Sequence, residues 1–208
     1  MGTSVRRRAR IVAAARTIAA TGGYDAVTMR AVAAHADLST ATLYRYFPSK
    51  HHLLVATLAR WLERFELRAD LELDTDGEPF DRLWSVVDAL YASLNRSPLL
   101  AEAMARAYAV ADTRAAEQVE YIRAHMTDIF AAALGEQDCS QHQAIGTLLA
   151  DVWAANVLAL SHNRISAEEL RRRLSVTVRL LAQRHPSAHP TAACASPGMP
   201  EAPRRRLS

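Results

Sequence analysis

The chain has 208 residues, half of them apolar, with 25 basic and 22 acidic side chains and two cysteines. That is enough for a sizeable buried core, and it suits a small reader domain joined to a larger helical body. Cys139 and Cys194 form no CxxC or metal-ligand spacing, and two cysteines give no argument for a disulfide scaffold; Cys194 with His185 and His189 reads as solvated tail before it reads as a metal site. No transmembrane stretch is expected. The apolar run after Arg6, Arg7, Arg8 and Arg10 is interrupted by Arg16, which argues against a signal peptide and for a cytoplasmic protein. The net charge of +3 is unevenly spread. Residues 1–50 carry eight basic and two acidic side chains, net +6, whereas residues 51–96 carry five basic and nine acidic, net −4. The positive end is the footprint of a nucleic-acid reader, and the acidic middle is expected to repel DNA.

The arginines lead into a first helix with Ile11, Ala15 and Ile18 on one stripe, expected to end at Gly22-Gly23. They read as a flexible basic arm that adds salt-dependent affinity for a phosphate backbone, with a frayed and solvated tail as the alternative for Arg6 to Arg8. Thr28 is the N-cap of a second helix with Val32, Ala33 and Ala36 inward. Asp37 and Leu38 break that helix, and Ser39 caps a third whose Leu43 and Phe47 pack inward. Thr40, Ala41, Tyr44 and Arg45 are left on the outer side, a mixture of small and hydrogen-bonding groups suited to a major groove. Pro48 stops this helix and Ser49 caps the fourth, which places Lys50, His51 and His52 in its first turn. Cations there are disfavoured by roughly 0.3–1 kcal/mol each, a conflict that a DNA phosphate at the helix N-terminus would relieve.

This segment resembles the TetR family of bacterial one-component repressors. The likeness rests on Thr28, Val32-Ala33, Ala36, Leu38-Ser39, Thr42-Leu43-Tyr44, Phe47-Pro48-Ser49-Lys50 and Leu53-Leu54. It departs at Asp37, where the family usually has a glycine in a left-handed turn; Asp enters that region more readily than most residues. The resemblance implies an all-α fold: an N-terminal helix-turn-helix DNA-binding domain over residues 1–50, and a C-terminal helical ligand-binding and dimerisation domain over 51–185, with about nine helices in all. It places Thr28, Arg30, Ser39, Thr40, Ala41, Thr42, Tyr44, Arg45, Tyr46 and Lys50 at DNA, with a palindromic operator as the partner of a homodimer in the bacterial cytoplasm, at the nucleoid.

Beyond the reader, the fourth helix is expected to run to about Arg68 with Leu54, Leu58, Trp61, Leu62 and Phe65 inward. The cluster Asp74 to Pro79 reads as a loop, and the fifth helix carries Leu83, Val86, Val87, Leu90, Tyr91 and Leu94. Ser97-Pro98 opens the sixth helix, and a seventh spans about 113–134. The eighth is apolar nearly all round and must be covered on every side. Ser166 and Glu169 spell a capping box for the ninth helix, striped by Leu170, Leu174, Val178 and Leu181. Two such apolar helices imply a dimer, and Val152, Leu158, Leu170, Leu174, Val178 and Leu181 are its expected interface. From Pro186 onward the chain holds five of its eight prolines, and 186–208 reads as a disordered tail.

Catalytic motifs are missing: there is no GxSxG, GxGxxG or phosphate loop, so neither an enzyme nor a cofactor is expected. His51 and His52 diverge on a helix, and His185 and His189 are separated by Pro186, so no metal site is expected either. Asp151 and Asn156 lie within the apolar eighth helix and need partners, Asp151 an arginine of a neighbouring helix. Taken alone, the stripes holding Met104, Tyr108, Met126, Phe130 and Trp153 read as ordinary core packing; the TetR-like resemblance implies instead that they and Asn156 line an effector pocket. The segments Thr42 to Leu54, Ser97 to Ala111 and Asp151 to Leu181 resemble more narrowly the actinobacterial KstR-type repressors of sterol catabolism. That likeness implies a repressor released by a lipophilic effector, a steroid acyl-CoA thioester, with no membrane partner. A TetR-like sensor of other lipophilic compounds or drugs, and a helical ligand-binding protein without operator activity, stay open at this level.

Overall fold

The computed structural model describes residues 2–72, 77–111, 115–135 and 140–184. The tail from 186, both cysteines, His185, His189 and Asp74 to Asp76 of the expected loop lie outside them. Among the described residues there are nine α-helices and no strand: α1 (Gly2–Ala26), α2 (Met29–His35), α3 (Thr40–Tyr46), α4 (Lys50–Glu72), α5 (Pro79–Asn95), α6 (Pro98–Ala109), α7 (Ala116–Leu134), α8 (Ser140–Ser161) and α9 (Ala167–Arg184).

The reader is built from short helices that are stopped where their caps dictate. The Thr28 side chain accepts from the Ala31 N–H at 3.1 Å, and the Ser39 side chain accepts from the Thr42 N–H at 3.1 Å. Asp37 sits between them at φ 51, in the left-handed region where the family has glycine. α1 differs from expectation at both ends. It is helical from Gly2, so the N-terminal arginines ride on an ordered helix and not on a flexible arm. At Gly23 (φ 71, ψ −167) its backbone breaks, as a terminating glycine would impose, but the chain resumes helical geometry to Ala26.

One buried cluster runs from Ile11 to Val178, so reader and body share a core. α6 packs on α1 and on α4 and ties the two units together. α8 lies along α7 so closely that a Cβ on Gly146 would stand 2.5 Å from the Thr127 carbonyl oxygen. By length and composition α8 could cross a membrane, contrary to the expectation that no such stretch exists. Only 28% of its apolar window is buried in the single chain, so much of this helix still needs cover.

The ninth helix corrects the expected interface. Leu170, Leu174 and Val178 are buried within the chain, where α9 packs on α5 and α8, because they form the i, i+4 stripe that a single protomer uses for its own core. Val152, Leu158 and Leu181 remain half-buried, and the large apolar side chains left exposed nearby are Leu148 and Leu180.

Candidate nucleic-acid interface and effector cleft

Leu43 and Phe47 are essentially inaccessible, which fixes the rotation of α3 and turns its other face outward. Thr28, Arg30, Ser39, Thr40, Ala41, Tyr44 and Arg45 are exposed, while Thr42, Tyr46 and Lys50 are half-buried. All ten DNA-contact candidates thus retain accessible surface. The Ser39 and Thr42 hydroxyls meet at 2.8 Å, so Thr42 is held by the cap of its own helix. The N-terminal end of α1 borders this face: Ser4 and Arg7 hold the Tyr46 phenol below its usual pKa, and the Arg8 guanidinium lies 4.6 Å from the centre of the Phe47 ring.

The crowded first turn of α4 is relieved within the chain. Lys50 Nζ lies 3.6 Å from the centre of the Tyr24 ring, and Tyr24 Oη is 2.7 Å from His51 Nε2. Ser49 Oγ is 3.0 Å from His52 Nδ1. Arg106 of α6 lies over the same tyrosine at 4.2 Å. Burial, with Arg106 nearby, pushes the Lys50 ammonium below its ordinary pKa against the opposing pull of Asp25. Three basic residues in a helix's first turn signal that partners are needed, but they do not name Tyr24 and Arg106, which sit on other helices.

None of the six expected pocket residues lines the cleft between α1, α4, α5 and α7. Met104, Met126, Phe130 and Trp153 are buried core, with the Phe130 and Trp153 rings 6.3 Å apart. Tyr108 is half-buried, and burial raises its pKa. Asn156 donates from Nδ2 to the Val152 carbonyl at 2.8 Å and meets Arg173 of α9 at 3.5 Å, so it is occupied on its own helix surface. Asp151 has the expected arginine, Arg123 of α7 at 3.1 Å, but the pair is exposed.

A cavity of about 1020 Å³ opens elsewhere, between α1, α4, α5 and α7 and beside the start of α6. Trp61, Phe65, Val12 and Leu100 give it apolar walls, and Trp61 stacks on Phe65 at 6.2 Å. Arg8, Arg16, Arg60, Arg64, Arg68 and Arg96 line it against two glutamates, Glu63 and Glu117. The net −4 of residues 51–96 is not evenly spread. Four of their five arginines turn into this cleft, because Arg60, Arg64 and Arg68 recur every four residues on one face of α4. Like charges at that spacing repel by roughly 0.2–0.5 kcal/mol per pair, and this is the sequence signal for the cleft that went unread.

Comparison with known proteins follows this division of the chain. Residues 11–57 match the family described as bacterial regulatory proteins, tetR family, and residues 77–181 match the tetracyclin repressor-like C-terminal domain. Transcriptional repressors named KstR are similar along most of the chain. Those of Mycolicibacterium smegmatis and Mycobacterium tuberculosis are each 44% identical over 176 residues, covering 84% of this chain and 86% and 80% of theirs. Among solved structures, a TetR regulator from a Rhodococcus species superposes with a TM-score of 0.77 at 25% identity, covering 86% of this chain and 97% of its own. FadR of Thermus thermophilus, solved with lauroyl-CoA, gives 0.68 at 22% identity, covering 90% and 100%. With a helix-turn-helix whose recognition face is open, and with this likeness running through reader and body alike, the chain belongs to the TetR family of transcriptional regulators, a family of DNA-binding proteins and not of enzymes.

Proposed function

We propose that the protein is a homodimeric repressor of sterol-catabolism genes that holds a palindromic operator and is released by a steroid acyl-CoA. The observation that carries this reading is the 44% identity to KstR repressors through both the reader and the ligand-binding body. In it, α3 enters the major groove, Thr40, Ala41, Thr42 and Arg45 meet base edges, and Tyr44 and Lys50 hold phosphates. Thr28, Arg30, Ser39 and Tyr46 border the same face and supply backbone contacts. The protein then acts in the cytoplasm, at the nucleoid. The effector class is supported by the combination of apolar wall and arginine surplus in the cleft, and by two fold neighbours, FadR of Thermus thermophilus and of Bacillus subtilis, whose structures hold lauroyl-CoA and stearoyl-CoA.

Release requires a ligand that prefers a body conformation in which the two readers no longer match successive major grooves. Titration of the protein-operator complex tests it. Cholanoyl-CoA, as a steroid thioester, is expected to lower operator affinity at least tenfold, whereas free coenzyme A and acetyl-CoA leave it unchanged. Equal release by free coenzyme A, or none by the steroid thioester, sinks the sterol reading and leaves the repressor reading standing. In the ligand-free protein, Lys50→Ala is expected to weaken all DNA sequences alike and to reduce the salt slope by about one unit. An unchanged slope removes Lys50 from the phosphate contacts.

A further inference from the structure

We infer that the cleft between α1, α4, α5 and α7 seats the phosphate-bearing end of the effector, with Arg64, Arg68 and Arg96 gripping the phosphates and Trp61 and Phe65 flanking the apolar part. This deepens the proposed function and rests on it. Leaving aside Arg8, whose guanidinium lies over Phe47, five arginines against two glutamates leave a surplus of three positive charges along one cavity (5 − 2 = 3). Arg64, Arg68 and Arg96 make no ion pair among the described residues, whereas Arg60 is taken up by Glu63 at 2.7 Å. A single carboxylate needs one guanidinium. A cluster of them fits a ligand with several phosphates, since the planar fork binds phosphate oxygens in pairs.

DNA does not account for this cluster. Arg64 is 14 residues along α4 from Lys50, roughly 21 Å of helix at 1.5 Å per residue. That is more than twice the Debye length of about 8 Å at physiological salt, so its charge is screened from phosphates held at the helix N-terminus. The cleft also presents a neutral polar group. Gln118 lines it, and its side-chain oxygen is buried without a hydrogen-bond partner among the described residues. An acceptor so placed suits an amide or amino N–H of a coenzyme A arm. The volume of about 1020 Å³ lies at the upper end of small-molecule sites, which are roughly 300–1,000 Å³.

The location gives such a ligand a direct hold on the reader. α1 and the first half of α4 belong to the helix-turn-helix unit, whereas α5 and α7 belong to the body, so one ligand bridges both. Arg8 faces the cleft while its guanidinium lies over Phe47, the C-cap of the recognition helix. A phosphate that draws Arg8 inward uncovers that cap.

The test uses full-length protein and the double variant Arg64→Gln/Arg96→Gln, with ligand binding followed by calorimetry and by the fluorescence of Trp61, checked against Trp61→Phe. Both arginines are exposed, so the variant is expected to fold and to bind operator within twofold of the parent when no ligand is present. Cholanoyl-CoA should bind the variant at least tenfold more weakly, with a shallower salt dependence, while free cholanoic acid changes less than twofold. Equal affinity of the thioester for both proteins overturns the inference and leaves the proposed function intact. Failure of the thioester to bind the parent overturns the effector class itself. A matching loss of ligand-free operator affinity would assign the arginines to DNA and overturn the inference as well.

Discussion

Asp37 shows what a single residue contributes to the reader. At φ 51 it occupies a conformation that costs most L-residues roughly 1–2 kcal/mol, and it does so in the turn between α2 and α3. Asp37→Gly is therefore expected to be neutral or slightly stabilising in urea unfolding, whereas Asp37→Val should lose about 1–2 kcal/mol, more than a surface substitution normally does. An unaffected valine variant would mean that the turn relaxes by another route. This residue was legible in advance because turn chemistry is local, as were the Thr28 and Ser39 caps. Tyr24 was not legible: its role over Lys50 and under Arg106 depends on three helices meeting, which no spacing within one segment encodes. The same applies to Arg96, which reaches the α4 stripe only once α5 is laid against it.

At the scale of elements, periodicity located all nine helices but did not say what each face meets. Periodicity marks the stripe Leu170-Leu174-Val178 as apolar and needing cover, and α5 and α8 of the same chain supply that cover where a partner chain is expected. The cap of α9 likewise half-matches its motif. The Ser166 side chain accepts from the Glu169 N–H at 3.1 Å, but the Glu169 carboxylate turns forward to Arg172 and Arg173, both at 2.7 Å. Those guanidiniums lower its pKa from 4.5 to about 2. Because the folded value is depressed, whatever stability the contacts supply is present above the unfolded value near 4.5 and disappears as pH falls toward about 2. A carboxyl NMR titration should find Glu169 with a midpoint far below those of the other glutamates, returning toward 4.5 in Arg172→Gln/Arg173→Gln. Between α7 and α8, Gly146→Ala should cost about 1–3 kcal/mol, since its Cβ meets the Thr127 carbonyl at 2.5 Å and helix backbone must move apart. Thermal unfolding indistinguishable from the parent would show that the two helices separate at little cost.

At the scale of the whole molecule, α8 needs cover that one chain does not supply. A helix with only 28% of its apolar window buried is incompletely covered in a single chain, and the exposed Leu148 and Leu180 put uncovered apolar surface on both of the last two helices. A two-fold partner would bury these surfaces against their own copies, together with the half-buried Val152 and Leu158. Charges placed there act differently from charges placed in the inner stripe. Leu174→Glu would bury an unpaired carboxylate inside the protomer and is expected to unfold it. Leu148→Glu/Leu180→Glu leaves the protomer core untouched, so a folded monomer is expected, with helicity retained in circular dichroism and the mass halved in sedimentation. Operator affinity should fall with the dimer, because each half-site alone is a weak target and the two readers no longer add their contacts. An intact dimer in that double variant would place the interface on another face, and the apolar length of α8 would then need a different occupant.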